Sequence, residues 1–421
     1  MRKFTGRALL IILCSVIAGV LLLGLVFTIP QERIEPKVER AALEIIKEEG
    51  TYPHVTEYAT SAIDNWTDSI MLLEAAHANE GGVFESAMKV RRFDWGEGIP
   101  NESLCHYYEG GTDDGWTEEY PQYWHGYLVF LKPLLAVFEY SQIRVINTVL
   151  QAAVTLAVCI VLRRKGMKAY ILPYLICYGL LMPAATGKCM QYSACFYIMS
   201  LACLAVLFSD RAEDPRAARL YIYLSAGIAA AYFDFLTYPI VTLGMPAVMS
   251  LNMAQESRKP SAALRGFLAA AGAWLLGYGL MWLGKFAAGS LICGEDLFAS
   301  AASHVNRWMG SGPEFTVPYV FYHSIRDFAY TPVMIIAVIF AIAVFIRIIV
   351  RRGGLSGQRS FVKDTVISYL IPALLPFVYY IIMLNPSGVH FGLFGHKTLL
   401  VCAFAVLCGL VKIRERSTAA Q

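Results

Sequence analysis

The feature that most constrains this chain is a series of mostly apolar stretches, each close to the length of a membrane span. A helix that crosses the hydrocarbon core of a bilayer needs about 20 apolar residues. Only 16% of the 421 residues are charged, against about 25% in soluble domains. We therefore predict an all-α polytopic membrane protein with about ten transmembrane helices. The predicted spans are 8–29, 141–162, 169–186, 190–208, 219–233, 238–254, 265–284, 331–350, 366–383 and 396–412.

Basic residues predict how these spans are oriented. Short cytoplasmic loops of membrane proteins are enriched in Lys and Arg. Six basic clusters recur at every second predicted helix end, and ten helices with both termini in the cytoplasm satisfy all six. The clusters are Arg2, Lys3 and Arg7; Arg163, Arg164, Lys165 and Lys168; Arg211, Arg216 and Arg219; Arg258, Lys259 and Arg265; Arg347, Arg351, Arg352 and Arg359; Lys412 and Arg414.

This orientation divides the chain into five regions and predicts one large loop on the non-cytoplasmic side. Residues 31–125 hold 20 of the 32 acids but only 7 of the 35 bases. No basic stripe with interleaved aromatic residues occurs, which argues against nucleic acid as a partner. The regions are a first transmembrane helix (1–29), an outer loop with juxtamembrane helices that forms a small folded lobe (30–140), helices two to seven (141–284), a second outer segment (285–330), and helices eight to ten with a cytoplasmic tail (331–421).

Three carboxylates stand out as candidate catalytic groups. Asp64 and Asp68 are four residues apart and would share one face of a helix over Ser61–Ala78. They are candidates for a general base or a metal ligand, although Thr67 or Asp68 capping a helix that begins at Ile70 is an alternative. Asp234 lies between two predicted spans, where an ionisable group is costly and often functional. The alternative role for Asp234 is capping a helix.

Four cationic or imidazole side chains on the predicted outer face are candidates for binding a phosphate: Arg307, His390, His396 and Lys397. Arginine suits a phosphate because it donates two hydrogen bonds at once. For Arg307, a salt bridge to the acidic loop is the alternative. For Lys397, which opposes the dipole at a helix start, the alternative anion is a lipid headgroup.

Aromatic residues near position 125 and at the start of the sixth predicted span are candidates for binding a sugar or an acceptor. They are Tyr123, Trp124, His125 and Tyr238. An interfacial aromatic belt is the alternative interpretation for this cluster. No Cys/His spacing typical of a metal site occurs, and the sequence leaves open whether Cys105 and Cys293, in the two longest outer loops, form a disulfide.

The order of one helix, a long acidic outer loop and then a run of hydrophobic spans resembles the GT-C superfamily of polyprenyl-phosphate-sugar glycosyltransferases. In that superfamily the catalytic acid lies in the first outer loop, and Asp68 in Thr-Asp-Ser-Ile-Met-Leu is the best match, followed by Asp64. The stretch Asn385–His396 resembles the segment before the last span of bacterial members. Members often carry an acidic pair directly after the first helix, whereas here about 38 residues separate Pro30 from Asp68.

The resemblance implies an inverting transfer of a sugar from a polyprenyl-phosphate donor to a cell-envelope glycan or lipid, at a bacterial inner membrane. Metal dependence varies across the superfamily, so the resemblance assigns no metal or other cofactor and leaves a divalent cation open. The alternative function is a transporter or flippase of lipid-linked sugars or of another anionic solute. A transporter needs polar residues near the middle of several spans, whereas this sequence keeps them mostly at the outer ends. A third interpretation, a polymerase or ligase of lipid-linked glycans, would centre on a large late loop.

Overall fold

A computed structural model describes residues 2–109, 114–254, 259–302, 314–350 and 359–419 of the chain. Helices dominate these residues, and seven of them are long and apolar enough to cross a membrane. The prediction of an all-α, multi-pass membrane protein is therefore confirmed. The seven are Phe4–Phe27, Tyr140–Arg164, Met190–Arg211, Pro260–Cys293, Val333–Val350, Arg359–Ile382 and Gly395–Arg416.

The helices are numbered here in chain order. The first ten are α1 (Arg2–Phe27), α2 (Glu35–Lys47), α3 (Asn65–Ala76), α4 (Val83–Lys89), α5 (Pro100–Glu109), α6 (Leu128–Leu135), α7 (Tyr140–Arg164), α8 (Ile171–Leu180), α9 (Pro183–Thr186) and α10 (Met190–Phe208). The others are α11 (Pro215–Phe233), α12 (Val241–Asn252), α13 (Pro260–Cys293), α14 (297–302), α15 (Val317–Ala329), α16 (Val333–Val350), α17 (Arg359–Ala373), α18 (Leu375–Ile382), α19 (Leu384–Val389) and α20 (Leu400–Ala419).

Seven of the ten predicted spans coincide with the long apolar helices, and the other three are covered by helices outside that set. The stretch 169–186 is divided between α8 and α9, because Pro183 lacks the N–H that a continuous helix needs. Met182, just before it, adopts a positive φ of 54°. The stretch 219–233 lies in α11, and 238–254 contains the 12-residue α12.

The segment between α1 and α7 contains helices α2 to α6 and one small sheet that the sequence did not predict. Strand β1 (Arg91–Asp94) pairs antiparallel with β2 (Trp116–Glu119), with Arg91 opposite Glu119. The Arg91 guanidinium donates to Glu119 Oε1 at 2.8 Å across this pair. Buried residues of α2, α3, α4 and α6 share one hydrophobic core with α1 and α13, so the segment packs onto two of the long helices.

Helices α11 and α13 are in close contact at two glycines. A Cβ atom on Gly227 would lie 2.1 Å from the Trp274 carbonyl oxygen, and one on Gly277 would lie 2.3 Å from that of Leu224. Small residues allow membrane helices to approach to backbone contact in this way.

Several of the basic clusters lie at one end of the helix bundle. Lys165 after α7 donates to Asp210 at 2.6 Å, and Tyr170 donates to Glu415 at 3.1 Å near the end of α20. Near the start of α1, the ring of Phe4 lies 5.0 Å from that of Tyr221. The start of α1 and the end of α20 therefore lie at the same end of the bundle, called here the basic end. Cys105 and Cys293, whose pairing the sequence left open, are both free.

Candidate active site at the N-terminus of helix α10

Helix α3 begins with a capping carboxylate, and the cap is Asp64. Its Oδ1 accepts a hydrogen bond from the Thr67 backbone N–H at 2.9 Å, and its Oδ2 accepts from the Thr67 hydroxyl at 3.0 Å. The helix starts at Asn65, so the alternative in which Thr67 or Asp68 caps a helix from Ile70 is wrong. An aspartate at this position satisfies N–H groups that the first turn leaves unpaired. Burial raises the pKa of Asp64 to about 7.

Asp68, one turn further along α3, contacts the N-terminus of α10. Its two carboxylate oxygens accept hydrogen bonds from the backbone N–H groups of Met190 and Gln191, both at 3.3 Å. The Tyr140 hydroxyl at the start of α7 also donates to it, at 2.5 Å. A helix N-terminus is a favourable environment for an anion because its N–H groups are unpaired and its dipole end is positive. Asp68 is buried, and desolvation raises its pKa.

Arg144, one turn into α7, links Asp68 to the end of α2. Its Nη1 donates to Glu48 Oε1 at 2.6 Å, and its Nη2 lies 3.8 Å from Asp68 Oδ2. Its guanidinium also stacks over the Tyr140 ring. Among the described residues, the buried Nε and Nη2 atoms have no hydrogen-bond acceptor, and the buried Glu48 Oε2 has no donor. Buried donors of a cation normally have partners, so Arg144 retains capacity for another anionic oxygen.

Lys397 and His396 approach the same turn of α10 from the start of the last long helix. The Lys397 ammonium lies 4.9 Å from the centre of the Tyr192 ring and 3.5 Å from His396 Nε2. Both side chains are fully buried. No acidic side chain among the described residues forms an ion pair with Lys397. A buried ammonium without a counter-ion is costly, which makes this position favourable for a bound anion.

Asp234 lies in the connection between α11 and α12, where its carboxylate closes a turn. Its Oδ2 accepts from the Thr237 N–H at 3.0 Å, and its Oδ1 accepts from the Thr237 hydroxyl. Burial raises its pKa to about 6. It does not cap the N-terminus of α12, which begins at Val241. The connection leads to Tyr238, whose hydroxyl donates to the Tyr192 carbonyl at 2.5 Å, so this loop also reaches the first turn of α10.

His390 and Arg307 are the two other phosphate candidates. His390 stacks on Phe394 with 4.6 Å between ring centres. Burial lowers its pKa to about 4, so it is neutral near pH 7 and does not supply the positive charge that the sequence interpretation gave it. Arg307 lies outside the described residues.

The aromatic candidates are packed inside the protein. Trp124 donates to the Met281 carbonyl at 2.9 Å, and Tyr123 stacks on Phe235 at 4.4 Å. His125 contacts Glu74 and the Tyr120 carbonyl at 3.1 and 2.7 Å. With the contact of Tyr238 described above, all four aromatic candidates have partners inside the protein. Their role in sugar binding stays a prediction.

Sequence reasoning missed three residues of this site: Arg144, Tyr140 and Glu48. A signal existed for Arg144, because an arginine inside the predicted span 141–162 is costly and therefore noteworthy. Glu48 ends an ordinary amphipathic helix, and nothing local marks its contact with residue 144, which is 96 positions away.

The arrangement combines a buried carboxylate with two buried cations around one helix N-terminus. Asp68 contacts Met190 and Gln191, Arg144 lies beside Asp68, and Lys397 lies over Tyr192. Such a set can bind an anionic group and accept a proton from a hydroxyl. Within the described part of the chain, no group of three or more His, Cys, Asp or Glu side chains is placed to hold a metal ion.

Comparison with known proteins adds no relative: no family model, no curated protein and no solved structure matches the chain. The resemblance to GT-C glycosyltransferases therefore remains a hypothesis, drawn from the order of its segments and from Asp68.

Proposed function

We propose that this protein is an inverting glycosyltransferase that moves a sugar from a polyprenyl-phosphate donor to a cell-envelope glycan or lipid. In this proposal the chain has ten spans, a folded outer loop and both termini in the cytoplasm of a bacterium, with the site on the outer face of the inner membrane. The proposal is supported by the convergence of Asp68, Arg144 and Lys397 on the N-terminus of α10.

Contacts between predicted outer helix ends support the placement of the site on the outer face of the membrane. The start of α7 contacts Asp68 through Tyr140, and the connection before α12 contacts the start of α10 through Tyr238. The start of the last long helix contacts the same turn through Lys397. These starts lie away from the basic end, which the distribution of Lys and Arg assigns to the cytoplasm.

The proposed reaction is a single displacement at the anomeric carbon. The acceptor hydroxyl oxygen forms the new bond to that carbon, while the bond from the carbon to the phosphate oxygen breaks and polyprenyl phosphate leaves with the electron pair. Asp68, whose pKa is raised by burial, takes the hydroxyl proton. Asp64 is the second candidate for this role, since its own pKa of about 7 suits a general base at neutral pH. Arg144 and Lys397 stabilise the charge that develops on the departing phosphate.

Purified wild-type protein, incubated with a radiolabelled polyprenyl-phosphate sugar and a membrane glycan acceptor, tests the proposal. We expect label in a product of opposite anomeric configuration, resolved by chromatography and NMR. In parallel, the protein in sealed vesicles is tested for movement of the labelled lipid between leaflets. Lipid movement without any new glycosidic bond would reject the enzyme and favour the flippase.

A further inference from the structure

A cavity of about 550 Å³ opens at the basic end, among helices α11, α12, α13 and α17. Sites for small molecules usually occupy about 300–1,000 Å³. The contacts of the basic end separate this cavity from the N-terminus of α10, because α10 runs from that N-terminus towards Asp210 beside Lys165. It is therefore independent of the proposed glycosyltransferase site.

Three arginines line this cavity: Arg216, Arg219 and Arg265. None of the described residues that line it is acidic. Arg219 donates to the Pro215 carbonyl at 3.0 Å, and none of the three forms an ion pair with a described residue. Lys and Arg are enriched at the cytoplasmic ends of membrane helices in general. That enrichment does not by itself require three arginines to line one cavity.

The helix dipoles at this end of the bundle favour anions over cations. Arg216 and Arg219 follow the N-terminal residue of α11, and Arg265 lies in the second turn of α13. Both helices present their positive ends there, where cations are disfavoured and anions are favoured. Asp214 caps α11 by accepting from the backbone N–H groups of residues 216 and 217, so its carboxylate serves the backbone.

The lining changes from charged at the mouth to hydroxyl-bearing and apolar inside. Arg216 and Arg265 are exposed, whereas Tyr223, Ser250 and Ser368 are buried. Tyr223 and Ser250 are hydrogen-bonded to each other at 2.9 Å. The remaining lining residues are mostly apolar, such as Leu251 and Ile371. Cations, hydroxyls and apolar walls together suit an amphiphile with a phosphate headgroup.

We propose that this cavity binds the phosphate headgroup of an anionic glycerophospholipid from the cytoplasmic leaflet. Basic pockets between transmembrane helices on that side are suited to such headgroups. Arginine binds a phosphate through two parallel hydrogen bonds, and the apolar wall accepts the upper part of an acyl chain. A soluble phosphate ester shares the headgroup chemistry but does not use the apolar wall.

The test uses the full chain, delipidated and placed in nanodiscs of phosphatidylcholine with or without phosphatidylglycerol. Retained lipid is counted by native mass spectrometry. We expect the wild type to retain phosphatidylglycerol in preference to phosphatidylcholine. We expect the Arg216→Gln/Arg265→Gln double variant to bind it about 30-fold more weakly, from a loss of about fivefold for each arginine near the surface. Inorganic phosphate and glycerol 3-phosphate at millimolar concentration should not displace the lipid.

The matched control is Arg163→Gln/Arg164→Gln, which removes two exposed arginines from the same end but outside the cavity. It should bind phosphatidylglycerol within about threefold of the wild type, since only the diffuse surface potential changes. Equal losses in both double variants would overturn the proposal, as would equal retention of the two lipids by the wild type. Displacement by the soluble phosphates would reject the lipid as the occupant. Thermal unfolding of each variant verifies that it is folded.

Discussion

Positively charged side chains are buried at one end of this helix bundle and exposed at the other. At the N-terminus of α10, Arg144 and Lys397 are buried, and Arg144 is bound to Glu48 and lies beside Asp68. At the basic end, Arg216 and Arg265 are exposed and border a cavity whose described lining contains no acidic residue. Charges that the fold buries at fixed distances suit a reaction, whereas charges at the surface suit the recognition of an anionic group.

The difference also explains why net charge is a poor guide to function in this chain. The formal charge of +3 is the sum of an acidic segment and a basic end, which lie in different environments. Burial decides what each group does, because the interaction between two charges grows as water is excluded.

The largest expected effect on stability follows from replacing one arginine at each end. Arg144→Gln leaves Asp68 and Glu48 without their cation in a buried environment, which we expect to destabilise the protein by about 3–5 kcal/mol. Arg216→Gln changes an exposed side chain that forms no ion pair with a described residue, and we expect a change within about 0.5 kcal/mol. Thermal or denaturant unfolding in detergent measures both.

Similar stability for the two variants would break this comparison, because it would mean that Arg144 is as solvated as Arg216. Arg144→Lys provides an additional control. It restores one positive charge but not the forked donor geometry, so it should recover part of the loss.

A smaller effect concerns pH and the cap of α3. Burial raises the pKa of Asp64 from 3.8 to about 7, so the folded state holds a proton over a range in which the unfolded state has lost it. The stability from this group is fully present below about pH 4 and is lost as pH rises to about 7, at about 1.4 kcal/mol per pH unit. Unfolding measured at pH 6 and pH 7 should show this decrease in the wild type.

Asp64→Asn is the matched variant, since asparagine caps a helix about as well as aspartate but does not titrate. We expect its stability to vary less between pH 6 and pH 7 than that of the wild type. An identical pH dependence in both proteins would show that the carboxyl group of Asp64 is already ionised at pH 6.

Hydropathy and charge predicted the long helices well but not the interrupted ones. The spans around α1 and α16 are continuous apolar runs, and each is one helix. The run 169–186 looks equally apolar, yet it divides at Pro183, because an average over residues does not register one missing N–H. The strands β1 and β2 are four residues each, too short to give a recognisable alternation.

The site was predicted only in part, for a different physical reason. Asp68 and Lys397 stand out in the sequence as charges next to apolar segments, but their approach to one turn of α10 depends on packing between distant helices. Whether an acid such as Asp64 is a cap, a base or both depends on that packing too. Arg144 was detectable as a charge inside a span, and its partner Glu48 was not.

The most direct measurement is sugar transfer by the Asp68→Asn variant at saturating donor. The control is Asp364→Asn, which makes the same chemical change on α17 near the basic end. We expect Asp68→Asn to fold and to bind donor within about threefold of the wild type, while its turnover falls by about 10²–10⁴-fold, and Asp364→Asn to retain full turnover. Folded Asp68→Asn protein with a turnover within about twofold of the wild type would contradict the account.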